Sequence, residues 1–229
     1  MFGSALGLAV QYAELLAGPA VQRGFIGPKE TGRLWDRHLT NCAAVAEMVP
    51  HPCSVVDLGS GAGLPGIVIA LLLPDADVVL LEPMARRVAF LEECVRVLDL
   101  RNVAVCRGRA EDVAGRVSAD VVTARAVAPM ERLAGLALGL TRPGGVVLAM
   151  KGAGASRELA RARPVLQRLG ARAAAVVQAG SGRVSQPPNV IRVTAGFGAT
   201  PPGAPVPARA GAGSLTTALP CQCHTGAAR

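Results

Sequence analysis

The sequence predicts one α/β domain built on a mostly parallel sheet, and three observations support this. Short apolar segments alternate with amphipathic helical segments from Ser54 onward, which is typical of parallel strands joined by crossover helices. A glycine-rich segment at 59–66 follows the first of these strands, where the chain must turn sharply into a helix. The chain has 229 residues, 51% of them hydrophobic, which is enough for one such domain with a short extension.

Seven strands are expected, of which the last two form an antiparallel pair that ends the sheet. The predicted strands cover residues 54–58, 77–81, 103–106, 120–123, 146–150, 173–178 and 189–194. Helical spacing of apolar residues predicts helices between them, the clearest at 84–98 and 156–169. A turn is expected at 142–145, which reads RPGG.

Composition divides the chain into three parts. Residues 1–52 show helical spacing and no strand pattern, so they are expected to form an N-terminal helical cap, with one helix at about 31–48. Residues 53–197 contain the alternating strands and helices. Residues 198–229 are rich in Pro, Gly, Ala and Ser. Such a segment cannot bury enough apolar surface to offset its chain entropy, so it is expected to be disordered.

The balance of charge favours a polyanionic partner. The formal net charge is +8, and Lys and Arg side chains commonly neutralise nucleic-acid phosphates. The apolar segments are too short to cross a membrane, and the N-terminus lacks the features of a secretory signal. A cytoplasmic protein without a membrane partner is therefore expected. Cys221, Cys223 and His224 lie close together in the tail, but three ligands without a matching set make an incomplete site, so no metal is expected.

The glycine-rich segment fits two cofactor patterns. Residues 57–66 read DLGSGAGLPG. Gly61, Gly63 and Gly66 match the dinucleotide pattern G-x-G-x-x-G, with an acidic residue at about the right distance for a ribose. Read from Asp57, the same segment fits the D-x-G-x-G-x-G turn of methyltransferases that bind S-adenosylmethionine. The segment favours the second pattern and leaves an NAD(P)-dependent oxidoreductase as an alternative.

Motifs elsewhere in the chain resemble one family. They occur in order as WDRH at 35–38, RR at 86–87, RAE at 109–111, TARA at 123–126 and LAMKG at 148–152. With DLGSGAGLPG, they make the chain similar to the ribosomal RNA small subunit methyltransferase G family, also called glucose-inhibited division protein B, over about residues 20–195. Relatives usually have an acidic residue soon after the histidine motif, where this chain continues with LTN.

The resemblance implies a Rossmann-like class I methyltransferase fold, with 53–197 as its S-adenosylmethionine-dependent domain. It also implies methyl transfer to N7 of one guanosine in 16S ribosomal RNA, with the RNA or the small ribosomal subunit as partner of a monomeric enzyme. A non-catalytic RNA-binding module on the same fold is a second alternative.

Candidate site residues follow from strand ends and from the resemblance. Glu82 ends the second strand, where a carboxylate can accept hydrogen bonds from both ribose hydroxyls. The resemblance places adenine contacts after the third strand. It also places a cofactor contact after the fourth strand. Polar residues of the cap and at the end of the fifth strand, near the same cleft edge, are candidates for contact with RNA. The expected cofactor-binding residues are Gly59, Gly61, Gly63, Leu64, Glu82, Ala110, Glu111 and Arg125. The expected substrate-binding residues are Arg37, His38 and Lys151.

The implied reaction needs no general base. Guanine N7 carries an accessible lone pair that is unprotonated at neutral pH, and a sulfonium methyl is already a strong electrophile. Orientation is then the main contribution of the protein. No catalytic residue is expected beyond Arg125 and Lys151, which are candidates for positioning the substrate.

Overall fold

The computed structural model describes residues 1–196. The predicted disordered tail at 198–229 lies outside the described residues, as do Cys221, Cys223 and His224. Seven strands form one sheet. They are β1 Ser54–Leu58, β2 Asp77–Glu82, β3 Val103–Arg107, β4 Ala119–Arg125, β5 Thr141–Lys151, β6 Ala171–Gln178 and β7 Asn189–Ala195.

The strand order is β3-β2-β1-β4-β5-β7-β6. The first five strands pair in parallel, whereas β7 lies antiparallel between β5 and β6. This confirms the predicted mostly parallel sheet with its antiparallel final strand. The direction of winding reverses between β1 and β4, and ligands bind outside the carboxyl ends of strands at such a switch point.

Seven α-helices accompany the sheet in the described part of the chain. They are α1 Leu6–Leu15, α2 Thr40–Ala46, α3 Gly66–Leu72, α4 Ala85–Val97, α5 Ala110–Val113, α6 Met130–Leu138 and α7 Ala155–Arg168. Among these described helices, none has the length and apolar character that a membrane crossing needs.

The N-terminal segment is helical, as expected, but less regular than its sequence suggests. A π-helical segment at Leu16–Ala20 follows α1. A 3-10 helical segment at Pro28–Arg33 and a second π-helical segment at Leu34–Leu39 precede α2. The backbone N–H and the hydroxyl of Thr40 both donate to the carbonyl of Trp35, five residues earlier. This local hydroxyl bond competes with regular α-helical pairing.

Two apolar cores lie on opposite faces of the sheet. One contains Tyr12, Ile67 and Phe90, contributed by α1, α3 and α4. The other contains Met130 and Leu159, from α6 and α7. The N-terminal helices therefore share the first core with the sheet and close one of its faces.

The predicted turn at 142–145 forms the irregular start of β5. Thr141 pairs with Ala119, and the register then shifts before Val121 pairs with Val146. Gly144 has a positive φ of 78°. The glycines therefore bend the chain as expected. Because Thr141, before the bend, already pairs with Ala119, the bend lies within β5 and not before it.

Candidate active site

The predicted site residues lie along the carboxyl edge of the sheet. The glycine turn follows β1, Glu82 ends β2, and Arg125 and Lys151 end β4 and β5. Ala110 begins the short helix after β3. Because carboxyl ends of parallel strands meet at one edge, residues from five segments of the chain are brought to one crevice.

All three glycines of the D-x-G-x-G-x-G pattern adopt backbone angles that favour glycine. Gly59, Gly61 and Gly63 have φ angles of +69°, +59° and +96°, which L-residues with side chains rarely adopt. A Cβ on Gly63 would lie 2.4 Å from Cδ1 of Ile67, whereas one on Gly61 would approach nothing closer than 3.8 Å. The turn is thus packed on its inner side and has open space at Gly61.

Asp57 holds the turn from beneath. Its Oδ1 accepts a hydrogen bond from the hydroxyl of Thr123 at 2.7 Å, and its Oδ2 accepts one from the backbone N–H of Gly66 at 3.1 Å. Burial raises the pKa of this carboxyl to about 6, since charge is costly in an apolar interior. Asp57 therefore joins β1, β4 and the start of α3.

Glu82 joins the turn to β2. Only 1% exposed, it accepts hydrogen bonds from the backbone N–H groups of Gly61 and Met84, each at 3.0 Å. A guanidinium nitrogen of Arg87 lies 3.8 Å from its Oε2. A carboxylate has about four lone-pair positions, so two remain for ribose hydroxyls. The open space at Gly61 and this spare acceptor capacity fit an adenosyl cofactor.

The remaining predicted cofactor residues differ in exposure. Leu64 and Ala110 are buried, and the side chain of Leu64 belongs to the core against which α3 packs. Glu111 is exposed at the first turn of α5. Leu64 can therefore offer a ligand only its backbone, while Glu111 has a side chain free to face solvent.

The N-terminal helices reach the site through His38. One guanidinium nitrogen of Arg125 donates to Nδ1 of His38, and the second lies 3.6 Å from Sγ of Cys42. Nε2 of His38 lies 2.8 Å from a carboxylate oxygen of Glu30. Because arginine only donates and an ionised carboxylate only accepts, Nδ1 must be the acceptor and Nε2 must carry the hydrogen.

His38 is therefore neutral in this arrangement. Burial and the adjacent Arg125 lower its pKa, and the Glu30 hydrogen bond only partly offsets them. His38 is 6% exposed and both ring nitrogens have partners, so a direct RNA contact would require this pairing to open. Arg37, by contrast, is exposed and lies 3.7 Å from Glu30.

Tyr12 also ties the N-terminal segment to the site, although the sequence pattern did not single it out. Its buried hydroxyl donates to the carbonyl of Ala62 at 2.7 Å, inside the glycine turn. The available signal was that Tyr12 is the one tyrosine in the sequence. The N-terminal helices thus help to fix the cofactor turn.

Lys151 lies at the other end of the crevice. Its Nζ donates to the carbonyl of Ala128 at 2.7 Å and to Oε1 of Glu158 at 2.6 Å. The same Oε1 accepts the backbone N–H of Met130 at 2.6 Å. Glu158, a residue that sequence reasoning missed, therefore holds Lys151 in place.

An open surface cavity of about 370 Å³ lies beside Lys151. It is lined by Ala126, Val127, Ala128, Pro129, Lys151, Glu158 and Arg161. Ala126 has a positive φ of 56°, a conformation that costs energy in a residue with a Cβ and is often found at functional sites. Within residues 1–196, no group of three or more His, Cys, Asp or Glu side chains could hold a metal ion.

Comparisons with known proteins agree on one family. A family model described as "GidB: rRNA small subunit methyltransferase G" matches residues 6–186. A relative from Thermobifida fusca named "Ribosomal RNA small subunit methyltransferase G" is 55% identical over 194 residues, 85% of this chain and 82% of its own. A relative of the same name from Salinispora arenicola is 54% identical over 200 residues, 84% of this chain and 83% of its own.

Solved structures show the same architecture at low identity. The structure of TYW2 from M. jannaschii in complex with AdoMet has a TM-score of 0.55 and 17% identity, and the match covers 69% of this chain and 74% of that one. At this identity the likeness shows the fold alone.

Proposed function

This chain belongs to the ribosomal RNA small subunit methyltransferase G family, and from that premise we propose that it transfers a methyl group from S-adenosylmethionine to N7 of one guanosine in 16S ribosomal RNA. The observation that carries the proposal is the turn at Gly61, where positive φ angles, open space and the spare acceptors of Glu82 meet at the switch point of the sheet.

The proposed cofactor site lies on the β1–β3 side of the crevice. The backbone of Gly59, Gly61, Gly63 and Leu64 borders the cofactor, and Glu82 accepts hydrogen bonds from the ribose hydroxyls. Ala110 and Glu111, which follow β3, border the adenine. Arg125 completes this site from the end of β4. S-adenosylmethionine, when bound, supplies an electrophilic sulfonium methyl group.

The chemistry needs alignment and no proton acceptor. Bound at this site, S-adenosylmethionine would supply the methyl group to the N7 lone pair. The new bond to carbon would form as the carbon–sulfur bond breaks, leaving the electron pair on sulfur and the positive charge on the base. Holding two reactants in line can contribute roughly 7–11 kcal/mol in favourable cases. The absence of a candidate nucleophile–base pair from the predicted site residues agrees with this reaction.

We propose that the RNA approaches the β4–β5 side of the site, and that the substrate is the small ribosomal subunit that contains this RNA. The net charge of +8 favours a phosphate-rich partner. Arg37 is exposed on the N-terminal segment and can contact phosphate, while Lys151 faces the cavity. In this proposal His38 does not contact the RNA but positions Arg125 by accepting its hydrogen bond. We propose a monomer acting in the cytoplasm.

A methyl-transfer assay tests the proposal. The full chain is incubated with tritiated S-adenosylmethionine and small ribosomal subunits that lack the modification. We expect label in 16S RNA, and none when the unmodified subunits are replaced by fully modified ones. Cofactor binding without label in the RNA would instead support a non-catalytic RNA-binding module. Binding of NAD in preference to S-adenosylmethionine would support the oxidoreductase alternative.

A further inference from the structure

The cavity beside Lys151 combines apolar and charged lining residues. Ala126, Val127 and Pro129 supply apolar surface, and Lys151 and Glu158 line the same space. Its volume of about 370 Å³ is in the range of small-molecule sites. The cavity can therefore accept a single base taken out of an RNA strand.

The cavity adjoins the cofactor turn. A Cβ built on Gly59 would lie 2.8 Å from Cγ2 of Val127, so the side chain of Val127 lies directly against the glycine turn. Val127 itself is 37% exposed and lines the cavity. A base in this cavity thus lies next to the proposed cofactor site.

Lys151 has a hydrogen to offer such a base. An ammonium group has three N–H donors, and the structure gives partners to two of them, Ala128 and Glu158. With its side chain 11% exposed, the group is largely withdrawn from solvent. The third donor is available to a ligand in the cavity.

Glu158 has the complementary acceptor. Its Oε1 receives hydrogen bonds from Lys151 and from Met130, whereas no described residue donates to its Oε2. The side chain is 17% exposed and lines the cavity. Because Nζ of Lys151 is 2.6 Å from Oε1 of Glu158, the remaining donor and the remaining acceptor belong to neighbouring groups.

We propose that this cavity receives the target guanine, and that the paired side chains of Lys151 and Glu158 recognise it by donating to O6 and accepting from N1–H. Guanine has an acceptor at O6 where adenine has the N6 amino donor, and their N1 positions are reversed in the same way. The Lys151–Glu158 pair thus matches guanine and opposes adenine. The inference rests on the proposed function and assigns the base-selective residue of that same site.

Glu158 also contributes to the rate in this arrangement. Methylation at N7 leaves a positive charge on the base, and a carboxylate at N1–H interacts more favourably with that charge than with the neutral base. Removing the charge of Glu158 should consequently lower kcat as well as raise KM.

The test compares the variant Glu158→Gln with Glu47→Gln. Glu47 forms an ion pair with Arg183 at 2.8 Å, and neither residue lines the cavity. Substrates are small subunits reconstituted with 16S RNA that carries guanosine, inosine or adenosine at the mapped target. Inosine keeps O6 and N1–H, so the wild-type protein should methylate it nearly as fast as guanosine.

Glu158→Gln should lower kcat/KM for guanosine and inosine by about 10- to 100-fold, the range for loss of a base-selective contact, and leave adenosine little changed. Glu47→Gln should leave kcat/KM unchanged for all three bases. An equal loss for the three bases, or an unchanged preference for guanosine over adenosine, would overturn the inference. Failure of wild-type protein to methylate any of the particles would count against the proposed function instead.

A second measurement uses the wild-type protein alone and does not depend on how the variant folds. N1-methylguanosine at the target keeps N7 and O6 but cannot donate from N1. We expect kcat/KM of the wild-type protein to be lower for N1-methylguanosine than for guanosine. The decrease should be at least as large as the one that Glu158→Gln causes with guanosine. Methylation at the rate of unmodified guanosine would contradict the assigned contact.

Discussion

The two sides of the crevice are built in different ways. On the β1–β3 side, backbone groups of the glycine turn bind a buried carboxylate, Glu82, and two other side chains, Asp57 and Tyr12, hold the turn from within. On the β4–β5 side, Arg125 and Lys151 project from strand ends and are each held by another side chain. The first side presents a rigid backbone surface to the proposed cofactor. The second positions Arg125 beside the proposed cofactor and Lys151 beside the proposed RNA.

The largest effect is expected where the rigid side is disturbed. Gly63→Ala places a Cβ 2.4 Å from Cδ1 of Ile67 at a φ of +96°. Backbone strain and overpacking each cost about 1–3 kcal/mol, so we expect the free energy of unfolding to fall by about 2–6 kcal/mol. Chemical denaturation monitored by circular dichroism measures this loss.

The control for that substitution is Gly135→Ala. Gly135 lies within α6, and a Cβ there would meet nothing within 4 Å. Alanine should stabilise this helix by about 0.5–1 kcal/mol. Equal effects of the two substitutions would show that the glycine turn is no more constrained than an exposed helix.

A smaller effect is expected from removal of the ribose acceptor. Glu82→Ala leaves the N–H groups of Gly61 and Met84 without their acceptor and removes the proposed ribose contact. We expect binding of S-adenosylhomocysteine to weaken by about 1–3 kcal/mol, measured by isothermal titration calorimetry. Glu92→Ala, at an exposed position on α4, is the control and should bind normally. Undiminished affinity in Glu82→Ala would exclude the ribose role.

The mildest effect at neutral pH is expected on the β4–β5 side. His38→Asn keeps an acceptor in place of Nδ1 and removes the titrating group, so activity at pH 7.5 should fall only several-fold, by about 1 kcal/mol for an altered hydrogen bond. In the wild type, protonation of His38 adds a second cation beside Arg125. Burial and Arg125 lower the folded-state pKa of His38 below its usual 6.5. We therefore expect kcat/KM to decline as the pH falls through that lowered pKa.

The same shift predicts a change in stability. A group whose folded-state pKa is lowered contributes stability that is present above its unfolded pKa, near 6.5, and is lost as the pH falls through the folded value. The losses of kcat/KM and of the free energy of unfolding at low pH should both be smaller in His38→Asn. They should be unchanged in His51→Asn, since His51 is exposed. The same decline at low pH in the wild type and both variants would show that His38 does not cause it.

Sequence reasoning performed differently on the two sides for a physical reason. The bounds of β1 were predicted correctly at Ser54–Leu58, and the positions needing positive φ at Gly59, Gly61 and Gly63 are encoded locally in the motif. That Glu82 also accepts from Gly61, 21 residues away, depends on how β1 and β2 pair. Local patterns specify the turn, and tertiary pairing supplies its anchor.

The β4–β5 side is harder to predict because its contacts are long-range. Arg125 and His38 are 87 residues apart, so no spacing rule joins them, and His38 was predicted to contact substrate. Glu158 lies only seven residues after Lys151, and an acidic residue at the start of the helix that follows a strand-end lysine was an available signal. The π-helical segment at Leu34–Leu39 also depends on packing. The helical spacing of apolar residues in the sequence cannot reveal such packing.

Mass-spectrometric mapping of small-subunit RNA from matched cells with and without this protein tests the central claim most directly. The account predicts that one guanosine of 16S RNA carries a methyl group at N7 only when the protein is present. Methylation of another base or another ring atom by this protein, or identical RNA from both cells, would contradict it.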